Sequence, residues 1–322
     1  MAGRHLEMSP EEILAHMQET GENPMPVTAL QIETSSICNF RCASCVLSMG
    51  HYDRPEKYMK PEEFKRILDA FPSVRKIELQ GIGEVFLNRD VFAHIKEATS
   101  RGVSVHTFTN TSRISEEIAQ GIVESGLELI HLSMDAADDE TFRALRKGGN
   151  LERFRTCATN LVEARRAAGA TSPHIDVMSV LSKRNIDQVQ DIIALAEELG
   201  VDSLTFTKLN MGPKEDQRSY LLDEADREHL RSLPPYEGPL TIHWAFEPWG
   251  LEERKGCYWP RSMAYVTVDG YVTPCCNYYD HREFYLGHVD EKSGEEIWND
   301  GPYKAFRKRL LNGDMPMYCG IC

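Results

Sequence analysis

The sequence predicts an α/β fold, in which helices cover a parallel sheet and a smaller C-terminal α+β segment follows. Short apolar, β-branched runs alternate with stretches of helical spacing, and six such strand–helix units lie between residues 30 and about 210. This alternation produces a parallel sheet with right-handed crossovers. Six units are too few for a closed eight-stranded barrel, so we expect an open partial barrel or a doubly wound sheet. In either fold, chemistry collects at the carboxyl ends of the strands.

The predicted elements follow one another in regular order. A helix signal at 9–12 opens the chain, and later helices begin at Pro61 and Ser115, because proline and serine favour a first helical turn. Another helix occupies 185–199 and ends before Gly200. The six predicted strands lie at 30–34, 76–79, 103–108, 129–133, 175–180 and 203–206.

Changes in this pattern divide the chain into four parts. Glycine and proline pairs replace the alternation after residue 210, which is typical of a linker. Farther on, Asp269-Gly270 joins two short apolar runs as in a β-hairpin, and a helix is predicted at 295–311. The predicted parts are a helical extension (1–29), the α/β region (30–210), a linker (211–250) and an α+β module (251–322).

The composition argues against several classes of partner. With 36 Lys and Arg against 50 Asp and Glu, the net charge is -14, so the surface repels phosphate backbones and we expect no nucleic-acid partner. No apolar run approaches the ~20 residues that span a bilayer, and the polar N-terminus carries no signal peptide. We therefore expect a cytoplasmic protein with no membrane partner.

Eight of the nine cysteines are clustered, which predicts metal or redox chemistry in a reducing compartment. Cys157 stands apart, and we expect it to be a small buried hydrophobic side chain. The clustered cysteines are Cys38, Cys42 and Cys45 after the first strand, and Cys257, Cys275, Cys276, Cys319 and Cys322 near the end.

The first cluster has the spacing Cys-x3-Cys-x2-Cys over residues 38–45. Three thiolates can hold three corners of a [4Fe–4S] cluster, whereas a standard site uses four cysteines. The remaining iron would be open to a small chelating molecule. The alternative is a zinc site, for which His51 would be the fourth ligand.

The segment Cys38-Asn39-Phe40-Arg41-Cys42-Ala43-Ser44-Cys45 resembles the signature of the radical S-adenosylmethionine (SAM) superfamily. The resemblance implies a partial (β/α)6 barrel, in which SAM chelates the open iron and is cleaved to a 5′-deoxyadenosyl radical. It also implies an external one-electron reductant of the flavodoxin or ferredoxin type. Ser44 departs from the family pattern, which often has an aromatic residue packing on adenine at this position. The adenine is then expected to pack elsewhere.

Other predicted strand ends resemble SAM-binding motifs of this family. Gln80-Gly81-Ile82-Gly83-Glu84 is similar to the motif that engages the SAM amine, and Arg146 matches an arginine that pairs with the SAM carboxylate. The alternatives are that residues 80–84 form an ordinary turn and that Arg146 is a surface side chain with no ligand. The SAM-binding residues that the resemblance implies are Gly81, Gly83, Glu84, Asn110, Ser133, Arg146 and Ser179.

The second cluster resembles the SPASM/twitch extension of radical SAM enzymes, on residues 270–276, 286–289 and 295–299 as well as on its cysteines. The resemblance implies one auxiliary [4Fe–4S] cluster held by four thiolates, which suits electron transfer better than substrate binding. A zinc ribbon-like site with the same ligands is the alternative. The implied ligands are Cys257, Cys275, Cys319 and Cys322.

The resemblance implies oxidation of a small natural-product substrate of sugar, aminocyclitol or nucleoside type, since the C-terminal cysteine spacing is similar to that of the aminocyclitol dehydrogenase of the butirosin pathway. The auxiliary cluster would accept the electron. Peptide maturation is less favoured, because fewer than forty residues precede Cys38, too few for a leader-binding domain. Sulfur insertion and a zinc-binding scaffold also remain open.

The remaining candidate residues are considered for two catalytic roles, hydrogen-atom donor and general base. Cys276 is a candidate to return a hydrogen atom to a substrate radical, as in epimerases of this superfamily, or to act as an alternative ligand. The candidate general bases are His106, His131, His243 and Glu247.

Overall fold

The computed structural model describes residues 8–48, 53–209, 219–246, 257–316 and 318–319. Its strands form a single ten-stranded sheet. The strands are β1 (Ala29–Ile32), β2 (Lys76–Leu79), β3 (Ser104–Thr109), β4 (Leu129–Ser133), β5 (His174–Leu181), β6 (Ser203–Lys208), β7 (Thr241–Trp244), β8 (Met263–Val266), β9 (Tyr271–Thr273) and β10 (Gly287–His288). The helices are α1 (Pro10–Thr20), α2 (Pro61–Ala70), α3 (Val91–Ser100), α4 (Glu116–Glu124), α5 (Asp139–Leu145), α6 (Leu151–Ala167), α7 (Val189–Leu199), α8 (Glu224–Ser232), α9 (Trp259–Ser262), α10 (Gly294–Trp298) and α11 (Gly301–Leu311).

The sheet has the order β10-β9-β8-β1-β2-β3-β4-β5-β6-β7. Its pairs are parallel from β8 to β7, whereas β9 and β10 are antiparallel additions beyond β8. The six predicted strands are present as β1 to β6, and the α/β fold class with a parallel sheet is confirmed.

The sheet is longer than the sequence predicts, because strands from two other predicted parts join it. Residues 211–250, predicted as a linker, contain α8 and β7 in the part that the structure describes, and β7 pairs in parallel with β6. β8, from the predicted C-terminal module, pairs in parallel with β1, with Ala29 opposite Met263. The single helix predicted at 295–311 is two helices, because Asp300 caps α11 through the Gly301 amide.

Side-chain alternation gives the sheet an apolar face and a polar face. On β4, Ile130 and Leu132 are buried in the hydrophobic core with residues of the surrounding helices, whereas His131 and Ser133 are half-buried. Successive side chains of a strand point to opposite faces. His131 and Ser133 therefore lie on the face of the sheet opposite the hydrophobic core, and we call this face the interior.

The N-terminal helix packs on the C-terminal helices. A side chain at Gly21, which follows α1 with φ +77°, would meet the Lys304 carbonyl oxygen at 2.2 Å. The buried Arg307 guanidinium donates to the Gly21 carbonyl at 2.6 Å and to the Trp298 carbonyl at 3.0 Å, and the Trp298 indole donates to the Met25 carbonyl at 2.9 Å. These contacts join the predicted extension to the predicted C-terminal module.

No helix in the described ranges is both long enough and apolar enough to cross a membrane.

Candidate functional site

The first group of thiols lies on the loop that follows β1, at the carboxyl edge of the sheet. The amides of Arg41 and Ala43 donate to the carbonyls of Lys147 and Leu145, at 2.7 and 2.8 Å, so the loop is fixed against the end of α5. All three cysteines of segment 38–45 are half-buried and reduced. We call Cys38, Cys42 and Cys45 the first thiol group.

The three thiols are close enough to influence one another. Burial raises the pKa of Cys42 to about 12, with smaller contributions from Cys45 and Cys38, while Arg146 opposes the shift. Burial likewise raises the pKa of Cys38, whose sulfur lies 3.8 Å from the Asn110 side-chain amide. A metal ion would take the place of the thiol protons, because thiolates are the ligating form.

Within the described part of the chain, no group of three or more His, Cys, Asp or Glu side chains is arranged to hold a single metal ion. An iron–sulfur cube presents a separate iron atom to each cysteine, so its ligands need not converge on one point. Three neighbouring thiols beside a buried guanidinium fit such a cluster.

Arg146 is placed to bind an anion beside this group. Its side chain is 10% exposed, and its terminal nitrogen lies 2.8 Å from an Asp135 oxygen. Its Nε–H is buried and has no hydrogen-bond partner among the described residues. Leaving such a donor unpaired costs about 1–3 kcal/mol, so a bound carboxylate would be stabilised there. This observation supports the predicted role of Arg146.

Gly81 and Gly83 allow the turn after β2 to pack against the chain that leads to the thiols. A side chain at Gly83 would meet the carbonyl oxygens of Ser35 at 2.3 Å and Ile37 at 2.6 Å, and one at Gly81 would meet Glu33 at 2.4 Å. Both glycines are therefore required for packing between two protein segments, and contact of either glycine with SAM stays a prediction.

Glu84 is buried, and its carboxylate accepts hydrogen bonds from within the protein. It accepts from the Thr109 hydroxyl at 2.6 Å, the Asn110 amide at 2.7 Å and the Phe86 amide at 3.2 Å. These bonds fix the end of β3, where the Asn110 side chain reaches the Asn39 amide oxygen at 3.0 Å. Glu84 thus positions Asn110 beside the thiol loop, and direct contact of Glu84 with SAM stays a prediction.

The two predicted serines lie on opposite faces of the sheet. Ser133 faces the interior at the end of β4, as predicted for a ligand contact. Ser179 is buried on the side of β5 that carries the core residues Val177 and Leu181. Its hydroxyl points away from the interior, whereas the neighbouring Val180 lines a pocket that Ala43 and Ser44 of the thiol loop also line. The structure therefore does not support a SAM contact through the Ser179 side chain.

The second group of thiols gathers around Cys275. Burial raises the pKa of Cys275 well above its ordinary value, and the neighbouring thiols of Cys276, Cys257 and Cys319 add to the shift. Three of the four predicted ligands are therefore close together, and the fourth, Cys322, lies outside the described residues. We call Cys257, Cys275 and Cys319 the second thiol group.

The remaining cysteines differ in exposure. Cys276 is exposed at the edge of the second thiol group, so both predicted roles, hydrogen donor and alternative ligand, stay open. Cys157 is buried in the hydrophobic core, as expected. His51 and Glu247 lie outside the described residues.

A polar pair occupies the interior. His131 Nδ1 lies 2.7 Å from an Asp176 oxygen, and the imidazole stacks on Phe108 at 4.2 Å between ring centroids. The other Asp176 oxygen accepts from the Ser203 hydroxyl at 2.6 Å and the Thr205 hydroxyl at 3.0 Å. Asp176 is not among the residues predicted from the sequence, although a carboxylate within the apolar run of β5 is a signal for a polar site.

The other candidate bases are less well placed. His106 lies opposite Leu129, the first residue of β4, so it is at the amino-terminal side of the sheet. Burial lowers its pKa, with a smaller contribution from Lys76. His243 is exposed on β7, at one edge of the sheet. Of the described candidates, His131 is the one oriented by a carboxylate within the interior.

A buried ion pair joins the surroundings of the two thiol groups. The carboxylate of Glu33, one residue after β1, lies 2.6 Å from the guanidinium of Arg54, and both side chains are fully buried. Glu33 also accepts from the Val268 amide at 2.9 Å and the Ile82 amide at 3.3 Å. Arg54 donates to the carbonyl of Tyr279, at 2.5 Å, in the segment after Cys276. The pair could not be predicted from the sequence, because neither residue lies in a motif and 21 positions separate the two.

Comparison with known proteins gives two family matches. Residues 32–196 match the profile of the radical SAM superfamily. Residues 257–322 match the SPASM profile, described as an iron–sulfur cluster-binding domain. The first match covers the strands and helices that surround the first thiol group, and the second covers the second thiol group.

Individual proteins are similar over most of the chain. The tungsten-containing aldehyde ferredoxin oxidoreductase cofactor-modifying protein of Pyrococcus furiosus is 26% identical over 304 residues, which cover 86% of this chain and 82% of that protein. Streptococcus suis SuiB bound to S-adenosylmethionine has a TM-score of 0.71 at 18% identity, covering 92% of this chain and 71% of that chain. BtrN in complex with AdoMet and 2-DOIA has a TM-score of 0.53 at 16% identity, covering 92% of each chain. At these identities the two solved structures establish similarity of fold.

Proposed function

Because the chain belongs to the radical SAM superfamily and carries a SPASM domain, we propose that it oxidises a small natural-product substrate of sugar, aminocyclitol or nucleoside type. A [4Fe–4S] cluster and SAM are the cofactors of the radical SAM domain, and the SPASM domain implies further iron–sulfur clusters. When bound and reduced, these groups supply a 5′-deoxyadenosyl radical and an electron acceptor. Cys38, Cys42 and Cys45 would hold the first cluster, and Cys257, Cys275, Cys319 and Cys322 the second.

The observation that carries the oxidation proposal is the His131–Asp176 pair in the interior. A carboxylate at Nδ1 favours the tautomer in which Nδ1 carries the proton, which leaves Nε2 as a proton acceptor. Asp176 is itself fixed by Ser203 and Thr205, so the imidazole has a defined orientation. Such a base suits an alcohol that loses its hydroxyl proton.

The reaction is balanced only when the hydrogen atom, the proton and the electron removed from the substrate each have an acceptor. Oxidation of a secondary alcohol to a ketone removes one hydrogen atom from carbon, one proton from oxygen and one electron. In our proposal His131 Nε2 would take the proton, and the bound nucleoside would supply the acceptor of the hydrogen atom. A cluster held by Cys257, Cys275, Cys319 and Cys322 would supply the electron acceptor, and four protein ligands would leave it no position for substrate.

Residues at the carboxyl edge of the sheet would orient SAM. Arg146 would bind its carboxylate through the unpaired Nε–H, and Ser133 would contact it from the end of β4. Asn110 holds Asn39 of the thiol loop, so we assign it to positioning the loop.

Epimerisation is a second candidate, because Cys276 is exposed next to a predicted ligand. A thiol there could return a hydrogen atom to the opposite face of a substrate radical. In that case no electron would leave the substrate, and solvent deuterium would enter the product.

Deuterated candidate substrates test the proposal under anaerobic conditions. We expect label to appear in 5′-deoxyadenosine, with one ketone formed for each label transferred. The reconstituted protein should contain about eight irons per chain, as two cubanes require. Zinc without visible absorption, or no deoxyadenosine, would contradict the assignment.

Substitution of the interior pair tests the base. His131→Gln should form 5′-deoxyadenosine but lower ketone formation about 100-fold, the scale of general-base catalysis. Asp176→Asn should give a smaller loss of the same kind, and His243→Gln is the matched control with full activity. Equal ketone formation by His131→Gln and the unmodified protein would exclude this role. Cys276→Ser should leave oxidation unchanged, whereas a loss of deuterium incorporation would indicate epimerisation.

A further inference from the structure

The side chain of Asn110 connects the end of β3 to the sulfur of Cys38. Its Nδ2 atom lies 3.8 Å from Cys38 Sγ and 3.0 Å from the side-chain oxygen of Asn39. Each of the two N–H bonds of the amide group therefore has an acceptor, and one of these acceptors is a predicted cluster ligand. A second donor, the backbone N–H of Phe40, lies 3.4 Å from the same sulfur.

The orientation of the Asn110 amide group is fixed by Ser112. The backbone N–H of Ser112 donates to Asn110 Oδ1 at 3.0 Å, and the Ser112 hydroxyl donates to the same oxygen at 2.7 Å. Because a backbone N–H can only donate, Oδ1 must face Ser112 and Nδ2 must face the thiol loop. The Asn39 side chain donates to the Ser112 hydroxyl at 2.9 Å, which closes a ring of three side chains.

The backbone between Asn110 and Ser112 has an unusual conformation that supports this ring. Thr111 has φ +69°, which is rare for a β-branched residue. The Asn110 amide donates to Glu84 at 2.7 Å, and the Thr111 amide donates to the Thr109 hydroxyl at 3.0 Å. A strained residue persists where its surroundings enforce it, and such residues are often functional. Here the strained turn directs two side chains toward the thiol loop.

Hydrogen bonds to the cysteine sulfurs are one of the factors that set the reduction potential of an iron–sulfur cluster. An added electron increases the negative charge on the sulfur atoms, so an N–H donor stabilises the reduced state and raises the potential. The effect is larger where water is excluded, because the local dielectric constant is lower. Asn110 is 8% exposed, so its amide group meets this condition.

We propose that the Asn110 side chain raises the reduction potential of the cluster at the first thiol group by donating a hydrogen bond to Cys38 Sγ. Asn110 is a positioning residue in this role, because it acts through Cys38 and touches no substrate. The inference rests on the proposed function for the assignment of Cys38 as a cluster ligand, and it holds for any substrate.

An anaerobic redox titration of the reconstituted protein, followed by electron paramagnetic resonance, tests the role of Asn110. Cys42→Ala identifies the transition of the first cluster, which should be missing from that variant. Asn110→Leu has a similar size but no N–H donor. At a fixed potential its ratio of reduced to oxidised first cluster should fall about tenfold, which corresponds to about 59 mV for one electron.

A second variant keeps the contacts with Ser112. Asn110→Asp retains oxygen acceptors for the Ser112 backbone N–H and hydroxyl, but it places a negative charge near Cys38. The potential of the first cluster should therefore fall further than in Asn110→Leu. The transition of the second cluster should stay in place in both variants, which provides an internal control.

Ser112→Ala is the matched control for loosening of the thiol loop. It removes the hydroxyl that contacts Asn39 and Asn110, but it keeps the backbone N–H that orients the Asn110 amide group. We expect this variant to keep the potential of the unmodified protein.

Three results would overturn the inference while leaving the proposed function intact. The first is an unmoved transition in both Asn110 variants at full iron content. The second is an equal shift in Ser112→Ala, which would assign the effect to the loop. The third is loss of iron from the first thiol group in both Asn110 variants, which would show that Asn110 acts in holding the loop. If the unmodified protein held no reducible cluster at the first thiol group, the proposed function would fail instead.

Discussion

The two thiol groups lie in chemically different surroundings. Around the first group are polar and charged side chains: Asn110 contacts Cys38, and the Arg146–Asp135 pair lies beside Cys42. The second group is surrounded by aromatic rings. The Tyr278 hydroxyl lies 3.8 Å from the Cys319 sulfur, and Tyr278 packs in turn on Phe284, Phe306 and Tyr318.

This difference indicates what each region must do. Buried guanidinium and amide groups are useful where a charged ligand enters and leaves, because they replace its lost hydration. Aromatic packing excludes water and offers few groups to a polar ligand. The first region is therefore suited to a charged ligand, and the second to a group that is shielded from water.

Loss of one cysteine from each region gives the largest expected effect. Cys42→Ala should abolish reductive cleavage of SAM, since it removes one of three ligands. Cys319→Ala should retain part of this cleavage while product formation stops. Chromatography of 5′-deoxyadenosine and product from the same reaction measures both. Equal loss of both activities in Cys319→Ala would remove the functional distinction between the regions.

Breaking the buried pair that joins the regions should strongly destabilise the fold. Glu33→Gln or Arg54→Met alone removes the nearest opposite charge from the remaining buried group, while Asp269 stays 3.5 Å from Arg54 in the first variant. Each change should lower the free energy of unfolding by about 3–5 kcal/mol. The double variant should lose less than the sum of the two single losses, because no unpaired charge remains. Denaturant unfolding measures all three, and strict additivity would show that the pair does not act as a unit.

Acid sensitivity should come partly from a buried histidine of α3. Burial lowers the pKa of His94, which stacks on Phe64, to about 4. As the pH falls below about 6.5, the imidazole of His94 takes up a proton in the unfolded chain but stays neutral in the folded chain. The free energy of unfolding therefore decreases as the pH is lowered through this range. Between pH 7.5 and 5 the loss is about 2 kcal/mol.

His94→Phe removes the titrating imidazole. Denaturant unfolding of this variant should therefore lack the loss of about 2 kcal/mol between pH 7.5 and 5. The exposed His243→Gln is the control and should keep the full dependence. If both variants kept the full dependence, His94 would not be the source.

The smallest expected effect is at the surface contact between α2 and the C-terminal module. Arg66 lies 2.9 Å from Asp290, and both side chains are about half exposed. An exposed ion pair contributes less than about 1 kcal/mol and is screened by salt. A double-mutant cycle with Arg66→Ala and Asp290→Ala measures this contribution. A larger coupling would mean that the regions are joined at the surface as well as through Glu33 and Arg54.

The sequence predicts much of the first region because its signals are local. Three cysteines within eight positions follow a recognisable strand, and the resemblance that they carry is confirmed at the level of the family. The six central strands were predictable for the same reason, because each shows its own apolar run and is followed by a helix.

The remaining features depend on contacts between distant segments. The local pattern of β8 predicts a strand but not that β1 is its partner. Glu33 and Arg54 are 21 positions apart, and neither lies in a motif. Ser179 was assigned to the site from its place at a strand end, but the face it occupies is set by the register of β5 with β4.

The contact between α1 and α11 has a consequence for synthesis on the ribosome. The Arg307 guanidinium that binds the Gly21 carbonyl comes 286 residues later in the chain. Helix α1 must therefore wait until residue 307 has emerged before it takes its final position, and β1 must likewise leave an edge open for β8. Contacts of such long sequence separation slow folding, so we expect nascent chains to depend on chaperones until α11 is released.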